Sequence, residues 1–446
     1  MSRESAVRYR AALATGGLEI CEEAGVFHAA SELELQARWF AGELGNEWLT
    51  TTGEAVRIED FGRWNREAGP DFADARVHIG DRELRGAIEL DFDIRDWEHH
   101  GHATNPAFRE TVLHIFLHAP AERFFTRTCD HREVAQVQIS PPARPVARTL
   151  PEAPLAHLAP AQIRALVEAA ARHRLDLKAA ALHRYSDTHG EDEALFAALA
   201  VALGYKRNQT PFLLLAQKVG LRGANEAALF GVAGFLEAPE PPAADREVRG
   251  YLRELWESWW KLRAGCERWI LRQSAWQLAG IRPANHPHRR VAALAGITAN
   301  WPAVREAMGI SRDGLERALE NLAHPFWERR FNLQAAALKN PQALLGAERI
   351  RDIVINLHHP LAVAHDEAAW PAYLAERGPA PAAIMRTTAR RLFGAAADAR
   401  GFLGAACIQQ GLLQIERDYR AAPEPEAFLA ALRRWSESST EPAPSR

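Results

Sequence analysis

Between residues 86 and 93 apolar and acidic side chains alternate: Ile88, Leu90 and Phe92 interleave with Glu89, Asp91 and Asp93. Successive side chains of a strand point to opposite faces, so the three carboxylates are expected on one face and the apolar trio on the other. The same patterning predicts strands over 55–58, 75–79, 84–92, 111–119 and 133–139, with Gly80-Asp81 as the tight turn of a hairpin. A helix over 31–44 opens on Ser31 with Glu34 at the capping-box position, and a short helix is expected at 106–110. Six prolines between 141 and 160 mark a stiff linker. Beyond it the period changes to that of helices: 161–184, 191–204, 211–219, 226–236, a long one over 246–279, and more up to residue 435. The division predicted is an α/β domain over 1–140, a linker over 141–160, an all-helical domain over 161–435 and a frayed tail over 436–446.

Charge sharpens this division. Residues 1–140 hold 25 acidic side chains against 15 arginines and no lysine, although the whole chain has a formal charge of only -3. An acidic front half argues against a broad basic footprint for nucleic acid. No apolar run approaches the roughly 20 residues that cross a bilayer, and no leader pattern precedes the first domain, so a cytoplasmic protein is expected. Cys21, Cys129, Cys266 and Cys407 are scattered, which indicates neither a thiolate zinc site nor a disulfide framework.

Candidate chemistry gathers on the acidic strand and its flanks. Asp71, Glu89 and Asp91 are hard oxygen ligands of the kind that hold Mg²⁺ or Mn²⁺ and a phosphate; the alternative is a solvated acidic edge with Asp71 as a turn residue. His100 and His102 offer imidazole ligands or a general base, with Asp96 and Glu98 near enough to orient a ring; the alternative is a histidine-rich surface loop held by Trp97. His114 is expected as a satisfied core residue. In the helical half, Arg282, Arg289 and Arg290 belong to a polar knot and can contact phosphate or dock on the acidic domain, while the alternative for the knot is that Asn285 and its histidines are buried hydrogen-bonding residues between helices. Trp256, Trp259, Trp260 and Trp269 are spaced for packing along one long helix.

Two resemblances follow from these motifs. Trp64-Asn65 with Gly69-Pro70-Asp71-Phe72, Asp96-Trp97 with His100-Gly101-His102, Leu203-Gly204-Tyr205-Lys206-Arg207-Asn208, Leu229-Phe230-Gly231-Val232-Ala233-Gly234, Arg282-Pro283-Ala284-Asn285-His286-Pro287 and Ile355-Asn356-Leu357-His358-His359-Pro360 resemble a bacterial family known only as a domain of unknown function. Many members of that family carry His where Asp91 stands, and a cysteine cluster after the counterpart of Gln409-Gln410-Gly411-Leu412-Leu413; this chain has no cysteine there.

The front domain is also similar to the PD-(D/E)XK nuclease superfamily, through Pro70-Asp71 followed by Glu89-Leu90-Asp91. That resemblance implies a restriction-endonuclease-like α/β fold, Mg²⁺ or Mn²⁺ bound by Asp71 and Glu89, a contribution from Glu32 or Glu34 on the preceding helix, and nucleic acid as substrate. The position of the superfamily's lysine is Asp91, and no lysine precedes Lys178. Three readings therefore stand: an atypical metal-dependent nuclease, a nuclease-like scaffold that binds protein partners through its helical half, and a histidine-based transition-metal hydrolase.

Overall fold

A computed structural model describes residues 2–15, 35–36, 39–40, 44–65, 69–120, 122, 124–139, 153–236, 245–278, 281–394, 401–422 and 424–438. The front part is a mixed, curled sheet built from β1 (Glu47–Leu49), β2 (Ala55–Asp60), β3 (Arg63–Trp64), β4 (Phe72–Ile79), β5 (Arg82–Asp93), β6 (Thr111–His118) and β7 (Ala135–Gln138). Its path runs β1-β2-β4-β5-β6-β7, with the two-residue β3 also paired to β4. The pairs up to β4–β5 are antiparallel, while β5–β6 and β6–β7 are parallel.

One face carries Val77 and Ile79 of β4, Ile88 and Leu90 of β5, Leu113 and Ile115 of β6, and Val137 of β7, all in one core with Leu35 and Trp39. The alternation predicted for 84–92 holds, but the acidic face is not solvated. Glu89 and Asp91 are 5% and 2% exposed, because the connection from β5 to β6 folds back over them. A parallel pair requires such a crossover. Here it is the short helix Asp96–His99, followed by the 3-10 turns His102–Thr104 and Pro106–Phe108, with Trp97 and Phe108 turned inward.

The rest of the described chain is helical and holds two apolar cores. One centres on the helices Glu191–Gly223, Arg246–Cys266 and Pro287–Ala299. The other joins Pro160–His189 and Ala406–Ala421, and it includes Tyr9, Ala12 and Leu13 of the N-terminal helix Ser2–Thr15. Helix Pro160–His189 reaches the front part at His189, whose Nε2 lies 3.2 Å from the Phe40 carbonyl oxygen.

Two helices expected over 191–204 and 211–219 are one, Glu191–Gly223, running through Pro211. Leu199, Leu203, Phe212 and Leu215 lie in the same core, and that shared burial outweighs the hydrogen bond proline removes. The long helix expected over 246–279 stops at Cys266, because Leu271 N–H turns away to donate to the Val232 carbonyl at 2.7 Å. Among the described residues no helix is long and apolar enough to cross a membrane.

Candidate metal centre

The site is a consequence of strand register. Glu89 of β5 is paired with His114 of β6, which is paired with Gln136 of β7, so the three side chains form a polar row across the crossover face. Asp91 lies one residue pair further along. Its Oδ2 is 3.2 Å from His114 Nε2, and His114 Nδ1 is 2.7 Å from the Thr126 hydroxyl. The crossover then lowers two more imidazoles onto the row. Gly101 takes a left-handed conformation (φ 75°) that reverses the chain between His100 and His102.

The His102 ring is clamped: Phe108 stacks flat on it at 4.0 Å, and Trp97 meets it edge-on at 5.5 Å. Trp97 is itself pinned by its indole N–H, which donates to the Arg127 carbonyl at 2.9 Å. The clamp directs His102 Nδ1 at the carboxylates, 3.4 Å from Glu89 Oε1 and 4.0 Å from Asp91 Oδ2. His100, half-exposed, has its Nδ1 3.5 Å from Asp91 Oδ1. One ligand atom from each of Asp91, His100 and His102 lies within 4.8 Å of the other two.

His102 Nδ1 is buried and makes no hydrogen bond to the protein. Burial pushes the ring down to about 4, against the opposing pull of Asp91, so it is neutral at pH 7. The Asp91 carboxylate with the His100 and His102 nitrogens, and Glu89 beside them, is a donor set of the kind that a divalent cation satisfies. The open side is toward His100, where a further ligand can enter.

Asp71 adjoins this group through hydrogen bonds. Its backbone N–H donates to Glu89 Oε2 at 2.9 Å. Its own oxygens accept from Gln36 Nε2 at 2.6 Å and from Leu90 N–H at 3.1 Å. Asp71 thus ties the start of β4 to β5, and Asp91 gathers with His100 and His102 rather than with Asp71. Glu32 and Glu34 lie outside the described residues.

The arginine knot departs from the expectation at two of its three arginines. Arg289 is buried and donates to the carbonyls of Trp327, Arg330, Gln342 and Ala343. Arg290 is buried too, bonded to Leu344 O and Asn285 Oδ1. Both guanidinium groups are committed to holding the helical core, so neither is presented to a phosphate or to the sheet; only Arg282 is exposed.

His114, Thr126 and Gln136 are the functional-site neighbours that sequence reasoning missed. His114 was legible as a core residue, but its bond to Asp91 depends on which strands pair. Comparison with curated proteins and with solved structures finds no match to this chain. A family model described as "Protein of unknown function (DUF2851)" matches residues 34–377, most of the length, and the chain belongs to that family.

Proposed function

We propose that the crossover face of β5 is the divalent-metal centre of a hydrolase, with Asp91, His100 and His102 as ligands and Glu89 beside them. The observation that carries this reading is His102 Nδ1, buried, without a hydrogen bond, and held 3.4 Å from one carboxylate and 4.0 Å from another. A donor set mixing imidazole and carboxylate suits Mn²⁺, Zn²⁺ or Fe²⁺ better than Mg²⁺, which favours oxygen ligands and retained water. A bound ion would polarise the substrate and lower the pKa of a water ligand. His114 and the Trp97–Phe108 clamp would hold the ligands in place, and Glu89 would be the nearby carboxylate available as a general base.

For substrate class we favour a phosphodiester of nucleic acid. What supports this is the order of elements: a carboxylate ahead of β4, an antiparallel β4–β5 pair, and a parallel neighbour β6 beside the strand that carries Glu89 and Asp91. This is similar to the PD-(D/E)XK arrangement, with Asp91 at the position of that superfamily's lysine and His100 and His102 beside it. The helical half is then the surface available to protein partners.

The test is metal content by elemental analysis of the purified chain, followed by cleavage assays on single- and double-stranded DNA and RNA with Mg²⁺, Mn²⁺ and Zn²⁺. The expected result is about one divalent ion per chain, lost in Asp91→Asn and His102→Ala together with cleavage. Bound metal without nucleic-acid cleavage would keep the hydrolase and reject the substrate. A chain that takes up no divalent ion would reduce the site to a scaffold.

A further inference from the structure

In the helical half, Arg174 and Lys178 sit one turn apart on the helix Pro160–His189, and both donate to the same amide oxygen, Gln410 Oε1, at 2.8 and 2.9 Å. Arg174 Nη1 also donates to Gln414 Oε1 at 3.1 Å, and Lys178 Nζ to Asn356 Oδ1 at 2.6 Å. Every one of these partners is neutral. The neighbouring Arg172 shows the contrast, with Asp176 and Glu367 at 3.0 and 2.6 Å.

A third cation, Arg417, lies close enough to disfavour the charge on Arg174. The carboxylate that favours it, Asp418, is already held by the Tyr9 hydroxyl and Gln414 Nε2, and burial pushes its own carboxyl up to about 6. Burial likewise pushes Arg174 down to about 10 and Lys178 well below the usual lysine range. Two part-buried cations beside a third, hydrogen-bonded only to amide oxygens, are an arrangement that an anion relieves.

The architecture gives such an anion a way in. Asn356 belongs to a π-helical turn, Val354–His358, and is exposed while Ile355, Leu357 and His358 are buried. Extra-residue turns of this kind are frequent at functional sites. Arg174 and Lys178 also retain N–H groups beyond the bonds described, and Gln410 carries an amide N–H₂ on the same side chain.

We propose that Arg174, Lys178, Gln410 and Asn356 form a binding site for a phosphate-type oxyanion, separate from the metal centre. The motifs around Asn356 and Gln410, unused by the sheet, then have a common purpose.

The experiment is acetylation of the full-length chain at neutral pH, read at each lysine by mass spectrometry, with inorganic phosphate against chloride at equal ionic strength. Lys178 competes with only four other lysines, Lys206, Lys218, Lys261 and Lys339. Phosphate at ten times its dissociation constant should slow Lys178 acetylation by about tenfold and leave the other four unchanged. Arg174→Gln should abolish that protection while Asp91→Asn keeps it, which separates this site from the metal centre. If Arg174→Gln fails to fold, Arg174→Lys, which keeps charge but loses the planar fork, should show weakened protection. Equal acetylation with and without phosphate, or protection that persists undiminished in the Arg174 variants, overturns the proposal. Among phosphate esters, protection by methyl phosphate alone assigns a dianionic monoester, and protection by dimethyl phosphate assigns a nucleic-acid backbone.

Discussion

A single hydroxyl fixes the chemistry of the most buried histidine in the site. Gln136 Nε2 donates to the Phe124 carbonyl at 3.1 Å and to the Thr126 oxygen at 2.9 Å, so that oxygen already accepts one bond. Asp91 Oδ2 can only accept, so the His114 proton facing it sits on Nε2, and in the neutral ring Nδ1 then accepts the Thr126 hydroxyl proton. Asp91 is thereby held by a donor that cannot turn away. Thr126→Val keeps the shape but removes the hydroxyl, leaving His114 Nδ1 without its partner in a dry core. The expected outcome is a loss of about 1–3 kcal/mol in urea unfolding and metal binding weakened about 10–100-fold by titration. Unchanged metal affinity would remove His114 from any part in positioning Asp91. At this scale the chain was only half legible. That Glu89 and Asp91 share a face follows from strand periodicity, and so did the apolar partnership of Ile88 and Leu90. The Asp91–His114 contact does not, since it joins residues on parallel strands whose pairing no local pattern specifies. Arg289 and Arg290 misled for a related reason: a run of charge beside prolines reads as surface until the carbonyls it satisfies are brought in from 38 to 54 residues away.

Strands were read well because their signal is local, and the failures at element scale came where tertiary contact overrode it. Pro211 and the end of Arg246–Cys266 are the two examples: the first lies where one core spans both sides of the proline, the second where a long-range backbone bond draws the chain off the helix axis. The pairing of β5 with β6, on which the site depends, has its own local requirement. A Cβ on Gly86 would fall 2.4 Å from the Glu110 carbonyl oxygen and 2.5 Å from a Val112 methyl, so the two strands close only because residue 86 has no side chain. Gly86→Ala should therefore cost about 1–3 kcal/mol by forcing the pair apart. Because Glu89 and His114 ride on those same strands, the variant should also bind metal more weakly than its stability loss at the assay temperature explains. Urea unfolding with and without saturating metal separates the two effects. Equal metal-dependent stabilisation of variant and wild type would show that the site tolerates a shift of β5 against β6.

For the molecule as a whole, four buried imidazoles of the helical half set how the fold responds to acid. Burial pushes His173, His286 and His358 down to about 4 and His288 to about 3, with neighbouring cations or imidazoles adding to the effect for all but His286. In the unfolded chain each titrates near 6.5. The unfolded state therefore binds more protons between these values, and the stability present above about pH 6.5 is lost as pH falls toward 4. Each such histidine contributes a slope of about 1.4 kcal/mol per pH unit inside that window. Asp418 works in the opposite sense: its carboxyl is raised to about 6, so its protonation on acidification favours the folded state and offsets roughly one histidine. The net expectation is a steep fall in unfolding free energy between pH 6.5 and 5, measured by urea denaturation in the presence of a chelator so that loss of metal does not contribute. His288→Phe removes one titrating ring from a pocket that already holds Phe235 at 4.4 Å. It should lower stability at pH 7, where the bond from Leu333 N–H is lost, yet flatten the profile by about 1.4 kcal/mol per pH unit. A wild-type profile that is level or rises toward pH 5 would mean that the buried histidines are reached by protons, and by water, in the folded state.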